Sequence, residues 1–156
     1  MEHNVETSSP ATIPQIQLIY VSGSPHDPQQ VVNDSETAYK HFKESWNQET
    51  IELLVECKVM YLNRAAQLLG IYPVSSGGRV DAEVDPRLIF AGALLCAATD
   101  IVVCHNHPSG NLKLSDTSKA FARKLQEGAK LFDMKLKDFL IISTTGYKSM
   151  CDDGLL

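Results

Sequence analysis

A run of apolar, mostly β-branched residues, Ile101-Val102-Val103-Cys104, passes without a break into His105-Asn106-His107-Pro108. A strand with no polar alternation must be covered on both faces, which calls for an α/β layer domain. Proline directly after the second histidine ends further strand pairing there. Two imidazoles at i and i+2 on a strand point to the same side, and the carboxyl end of a buried parallel strand is where α/β folds usually place their sites. Beyond the loop that follows, Ser115 can cap a helix bearing Phe121, Leu125, Ala129 and Phe132 near one face.

The flanking segments support the same architecture. With Ser35 as N-cap, Tyr39, Phe42 and Trp46 fall at i, i+3 and i+7, the face of an amphipathic helix whose aromatics are read as core anchors. Ile51 to Leu62 and Ala66 to Val74, separated by Asn63-Arg64-Ala65 and closed by Ser75-Ser76-Gly77-Gly78, predict two paired strands and a turn. Asp85-Pro86 is a helix start, and RLIFAGALLCAAT after it is apolar almost all round, which predicts a buried helix. Phe139 to Ser143 reads as a last inner strand. Pro10, Pro14, Pro25 and Pro28 make residues 1–34 an irregular arm with one edge strand at Ile16 to Val21, ahead of a domain over 35–156.

Composition narrows the function classes. The 156 residues carry 14 Lys+Arg against 19 Asp+Glu, a net charge of −5, which weighs against affinity built on neutralising many phosphates. A 44% hydrophobic content fits a packed core. No apolar run reaches the roughly 20 residues needed to cross a bilayer, and MEHNVETSSP has no signal-peptide character, so a soluble, cytoplasmic protein with no membrane partner is expected. Cys57, Cys96, Cys104 and Cys151 have no C-x-x-C spacing and read as small buried hydrophobes in a reducing compartment. Cys104 alternates away from both histidines on its strand.

An H-x-H pair alone also describes two ordinary histidines. Its context here, an apolar strand before and a serine-capped helix after, suits a metal site, because catalytic zinc takes three protein ligands and leaves one position for water. A third donor should then project from the helix. HNHPSG followed by that helix resembles the signature of the RadC-like branch of the JAMM (JAB/MPN) metalloprotein family. The likeness runs from about Glu49 to Leu156 and includes YLNRAAQLLGIYPVSSGG, DPRLIFAGALL, KLQEGAKLFDMKLKDFLIIS and DDGLL.

The resemblance implies an α/β fold, a mixed twisted sheet flanked by helices in the three-layer, cytidine deaminase-like JAB/MPN architecture. It also implies a zinc site, built in active members from a glutamate on an early strand, the two histidines, and the aspartate of an S-x-x-D element, that hydrolyses amide or isopeptide bonds. On these positions His105 and His107 match the Zn2+ ligands, and Ser115 matches the serine whose hydroxyl helps hold the oxyanion.

Two positions depart from the pattern. The S-x-x-D aspartate is replaced by Ser118, a neutral and much poorer ligand. Asp116 is close by, but two helical steps turn a side chain by about 200°, so it should face away and stabilise the helix N-terminus. Counted back from Asn63, the family's aromatic falls on Cys57 and its glutamate on Val55. Glu56 is adjacent and could act as proton shuttle only if a bulge shifted the register, since strand neighbours point to opposite faces. Nothing in the position of Glu52 favours it.

Three functions follow as expectations. The first is a zinc-dependent amide hydrolase, a metallopeptidase with a degenerate site. The second is a non-catalytic module that binds a peptide or protein by strand addition. The third is the DNA-repair role attached to the RadC name, which the acidic charge disfavours. The N-terminal helical region typical of full-length RadC proteins is not expected within the 48 residues before the likeness begins. Lys113 and Lys119, flanking the helix start, are read as solvated charges that could attract an anionic substrate.

Overall fold

The computed structural model describes residues 19–21, 30–78 and 83–156. Three helices and five strands follow one another as α1 (Ser35–Ser45), β1 (Glu56–Leu62), β2 (Leu68–Ser76), α2 (Pro86–Leu95), β3 (Asp100–Asn106), α3 (Asp116–Lys130), β4 (Lys135–Ile142) and β5 (Tyr147–Ser149). The strands form one sheet in the order β2-β1-β3-β4-β5. β3 lies at its centre, antiparallel to β1 and parallel to β4, so the sheet is mixed, and α3 is the crossover that parallel neighbours require.

The apolar run of β3 is buried on both faces, as its composition demands. Val59, Ile101, Val103 and Phe139 pack under α2 and α3, while Met60, Val102, Cys104 and Leu140 pack under α1 with Ala38, Phe42 and Trp46. The result is three layers, with α1 on one side and α2 with α3 on the other.

Local capping explains where the helices start. Asp85 accepts from Arg87 N at 2.9 Å with Pro86 in the first turn, and Ser115 accepts from Ser118 N at 3.1 Å. The first helix is capped by Asp34, not Ser35: its carboxylate accepts from Thr37 N at 2.7 Å, and Ser35 instead donates to Asp152 at 2.6 Å.

Several other expectations are corrected. β1 begins at Glu56, because Ile51 to Leu53 form a turn; β2 begins at Leu68, and β4 starts earlier, at Lys135. The second helix is not buried all round. Ile89 and Ala93 face the core, but Leu88, Leu94 and Leu95 are substantially exposed. Phe132 lies beyond α3 and is partly exposed. Of the proposed edge strand, Ile16 to Leu18 fall outside the described residues, and Ile19 to Val21 have no strand pairing, although the Tyr20 hydroxyl donates to Leu69 O at 2.7 Å. Val31 bridges to Gln67 and Val32 is buried, so packing begins before residue 35.

Candidate functional site

β3 carries His105 to the end of the sheet, opposite Cys57 on β1 and Ile141 on β4. His105 therefore lies on the α2–α3 side, its ring 5.4 Å from that of Phe139 and 4.8 Å from that of His107. Burial, then the neighbouring His107, pushes its pKa down to about 4, so it is a neutral imidazole at physiological pH.

His107 sits one residue past the strand, its N–H donating to Ile142 O at 2.9 Å. The chain turns at once: Gly110 N donates to His107 O at 2.9 Å, and Gly110 has φ +78, a conformation a side chain would strain. His107 Nδ1 contacts the Asn111 carbonyl, which can only accept, so Nδ1 is the donor there, and among the described residues Nε2 has no hydrogen-bond partner.

Where a metal-facing carboxylate would stand there is a chain of hydroxyls. Ser118 Oγ lies 3.4 Å from His105 Nε2 and 2.9 Å from Ser115 Oγ. Ser118 is buried, on the inner face of α3. Asp116 has a fully exposed side chain 3.8 Å from Lys119 Nζ, in keeping with its turning away. The open cleft between the histidine loop and α3 has a volume of about 850 Å³ and is lined by Val55, His105, His107, Lys113, Ser115 and Ser118, among others.

The structure does not bring Glu56 into this cleft. β1 pairs with β3 without a register shift, and its two irregularities lie against β2, the one near Glu56 where Cys57 pairs with Ser75 and Lys58 with Pro73, leaving Val74 unpaired. Glu56 consequently keeps the parity opposite to Cys57, toward α1, and its Oε2 is buried without a hydrogen-bond partner among the described residues. Val55, at the glutamate's expected place, is 8% exposed and lines the cleft. Glu52 is engaged elsewhere, accepting from Thr144 Oγ1 at 3.0 Å.

Two further residues matter that spacing alone did not single out. Asn106, fully buried between the histidines, donates to Ile51 O and Leu54 O at 2.7 Å each and accepts from Glu56 N at 2.7 Å. It ties the turn before β1 to β3 and so holds Val55 against the histidine pair. A buried Asn inside an H-x-H was the available signal. Glu83, exposed just ahead of α2, lines a side cavity with Val55, His105 and Ser118, and no local pattern marks it.

The fit to zinc can be judged from the donors. Two imidazoles converge with two neutral hydroxyls, and among the described residues no third His, Cys, Asp or Glu joins them. That set does not match a three-ligand catalytic zinc site. Nor do the thiols of the two strand cysteines nearest the histidines supply a nucleophile: burial drives Cys57 up to about 12 and Cys104 well above its usual range.

A family model described as RadC-like JAB domain matches residues 32–155. A UPF0758 protein of Flavobacterium johnsoniae is 37% identical over 97 residues, 62% of this chain and 42% of its own length. One of Syntrophomonas wolfei is 30% identical over 142 residues, 90% of this chain and 56% of its own. The UPF0758 protein YfjY of Escherichia coli is 32% identical over 101 residues, 65% of this chain and 63% of its own. In each case the match spans less than two thirds of the relative's length.

Proposed function

The chain belongs to the RadC-like JAB domain family, and from that premise we propose that it is a degenerate member whose histidine cleft binds a peptide or protein segment without hydrolysing it. The observation that carries this reading is the pairing of Ser118 Oγ with His105 Nε2 at 3.4 Å, with Val55 alongside. Both positions where the resemblance expects a carboxylate, the metal ligand and the proton shuttle, hold neutral side chains. Loss of a general base alone removes about 10²- to 10⁴-fold in rate.

What the cleft retains suits binding. Ser115 and Ser118 offer hydroxyls, His107 its ring Nε2, and an extended segment can use backbone donors and acceptors. His105 and His107 could still hold Zn2+, weakly, through two imidazoles. Metal analysis of protein purified without chelators should therefore give well under one zinc per chain, and Ser118→Asp should raise that occupancy. One full equivalent in the wild type, with three protein ligands, overturns the proposal.

A hydrolase reading has one observation in its favour, the carboxylate of Glu83 on the cavity shared by His105 and Ser118. It requires cleavage of peptide amides by the wild type that Glu83→Gln abolishes.

A further inference from the structure

Beside the open cleft lies a narrower cavity of about 250 Å³, walled by Val55, Cys57, Val84, Phe121 and Phe139. The two spaces share Val55, His105, Thr117 and Ser118 and meet at those residues. Its volume is below the about 300–1,000 Å³ of sites that bury a whole drug-sized ligand, and suits one side chain. Val55 decides its character: an ionised carboxylate there would face Phe121 and Phe139 in an apolar enclosure, whereas valine completes an apolar wall.

The charge beside it is distinctive. In a chain with a net charge of −5, the open cleft carries Lys113 and Lys119, and among the described residues that line it only Asp116 opposes them, on Lys119. Lys113 has no ion pair among the described residues. Glu83 lies on the side cavity and would repel an acid there.

We propose that the side cavity is a specificity pocket: the cleft takes an extended acidic peptide that inserts one large apolar side chain, Leu or Phe, between Val55, Phe121 and Phe139, with a neighbouring carboxylate on Lys113 and Lys119. The pocket rests on the peptide-binding reading of the same cleft, and supplies its selectivity. Burial of an apolar side chain should separate a Leu peptide from an Ala peptide by roughly 10- to 100-fold.

The test is fluorescence anisotropy on the full chain with labelled peptides Gly-Glu-Xaa-Glu-Gly-Gly, in which Xaa is Leu, Phe, Ala or Asp, alongside NMR of the His105 and His107 ring signals. Leu and Phe peptides should bind at least tenfold more tightly than Ala and Asp peptides and shift both rings. Val55→Phe, which fills the cavity, should erase the preference, as should Val55→Glu if it folds. Lys113→Ala should weaken the Leu, Phe and Ala peptides alike. Equal binding of the Leu and Ala peptides with shifted rings overturns the pocket and leaves the peptide cleft standing. No binding and unmoved rings overturn both.

Discussion

At the scale of single residues, the half-buried His105 and the buried Asn106 set the properties of the cleft. The His105 pKa is held near 4 in the folded chain against about 6.5 for a free imidazole. The unfolded chain therefore takes up a proton first, and stability must fall as pH drops from about 6.5 through 4, with no contribution from this group above that window. Denaturant melts in chelator should show this acid slope in the wild type and a shallower one in His105→Gln; equal slopes would mean that another group titrates. Asn106 has a different task. Its three hydrogen bonds leave no polar atom unused, and Asn106→Ala strands two carbonyls and an N–H. A loss of about 2–4 kcal/mol is expected in urea melts, with hydrogen-exchange protection falling first at Glu56.

At the scale of elements, the short β5 strand is held by one carboxylate as much as by its ladder. Asp138 on β4 is buried, accepting from Ser149 Oγ at 2.6 Å, Cys151 N at 3.0 Å and its neighbour Phe139 N at 2.7 Å. Asp138→Ala should cost about 2–3 kcal/mol and expose 147–156 to limited proteolysis ahead of global unfolding. An unchanged cleavage pattern would assign the tail's docking to Met150, which is buried in the core. α2 shows how packing overrides composition. Tyr61 reaches across to donate to Ile89 O at 2.8 Å, and a Cβ at Gly92 would come within 2.3 Å of its hydroxyl. This fixes which face of α2 meets the sheet, and the leucines on its other side remain exposed although they are no less apolar than Ile89 and Ala93, which face the core.

At the scale of the whole molecule, charge and layering have separate consequences. With a net charge of −5, the chain should bind duplex DNA no better than about 10⁻⁴ M at physiological salt, the weak end of non-specific binding. Electrophoretic mobility shift with a short duplex checks this; micromolar binding that weakens steeply with added salt would contradict it. No helix among the described residues is long and apolar enough to cross a membrane. The layering places the histidine cleft at one end of the sheet, between the β3 end and the α3 start, where the central parallel pair β3–β4 diverges into different connections.

Much of this was legible in the residues themselves. An unbroken apolar strand demanded cover on both faces, H-x-H with proline and a capping serine located the cleft, and Asp85-Pro86 and Ser115 marked two helix starts, because these signals act within a few residues of chain. Helix capping by Asp34 and the onset of β1 were less legible, since Asp34 and Ser35 are both competent caps and the Ile51–Val55 run is as apolar as the strand that follows it. Local spacing already turned Asp116 away from the histidines and set Glu56 on the face opposite to Val55 unless a bulge intervened. Only the tertiary structure decided that no bulge shifts β1 against β3, which leaves Glu56 on the α1 side, and that the chain ahead of α2 brings Glu83 to the cavity. Register and distant approach depend on contacts made across the sheet, and those are not written in local spacing.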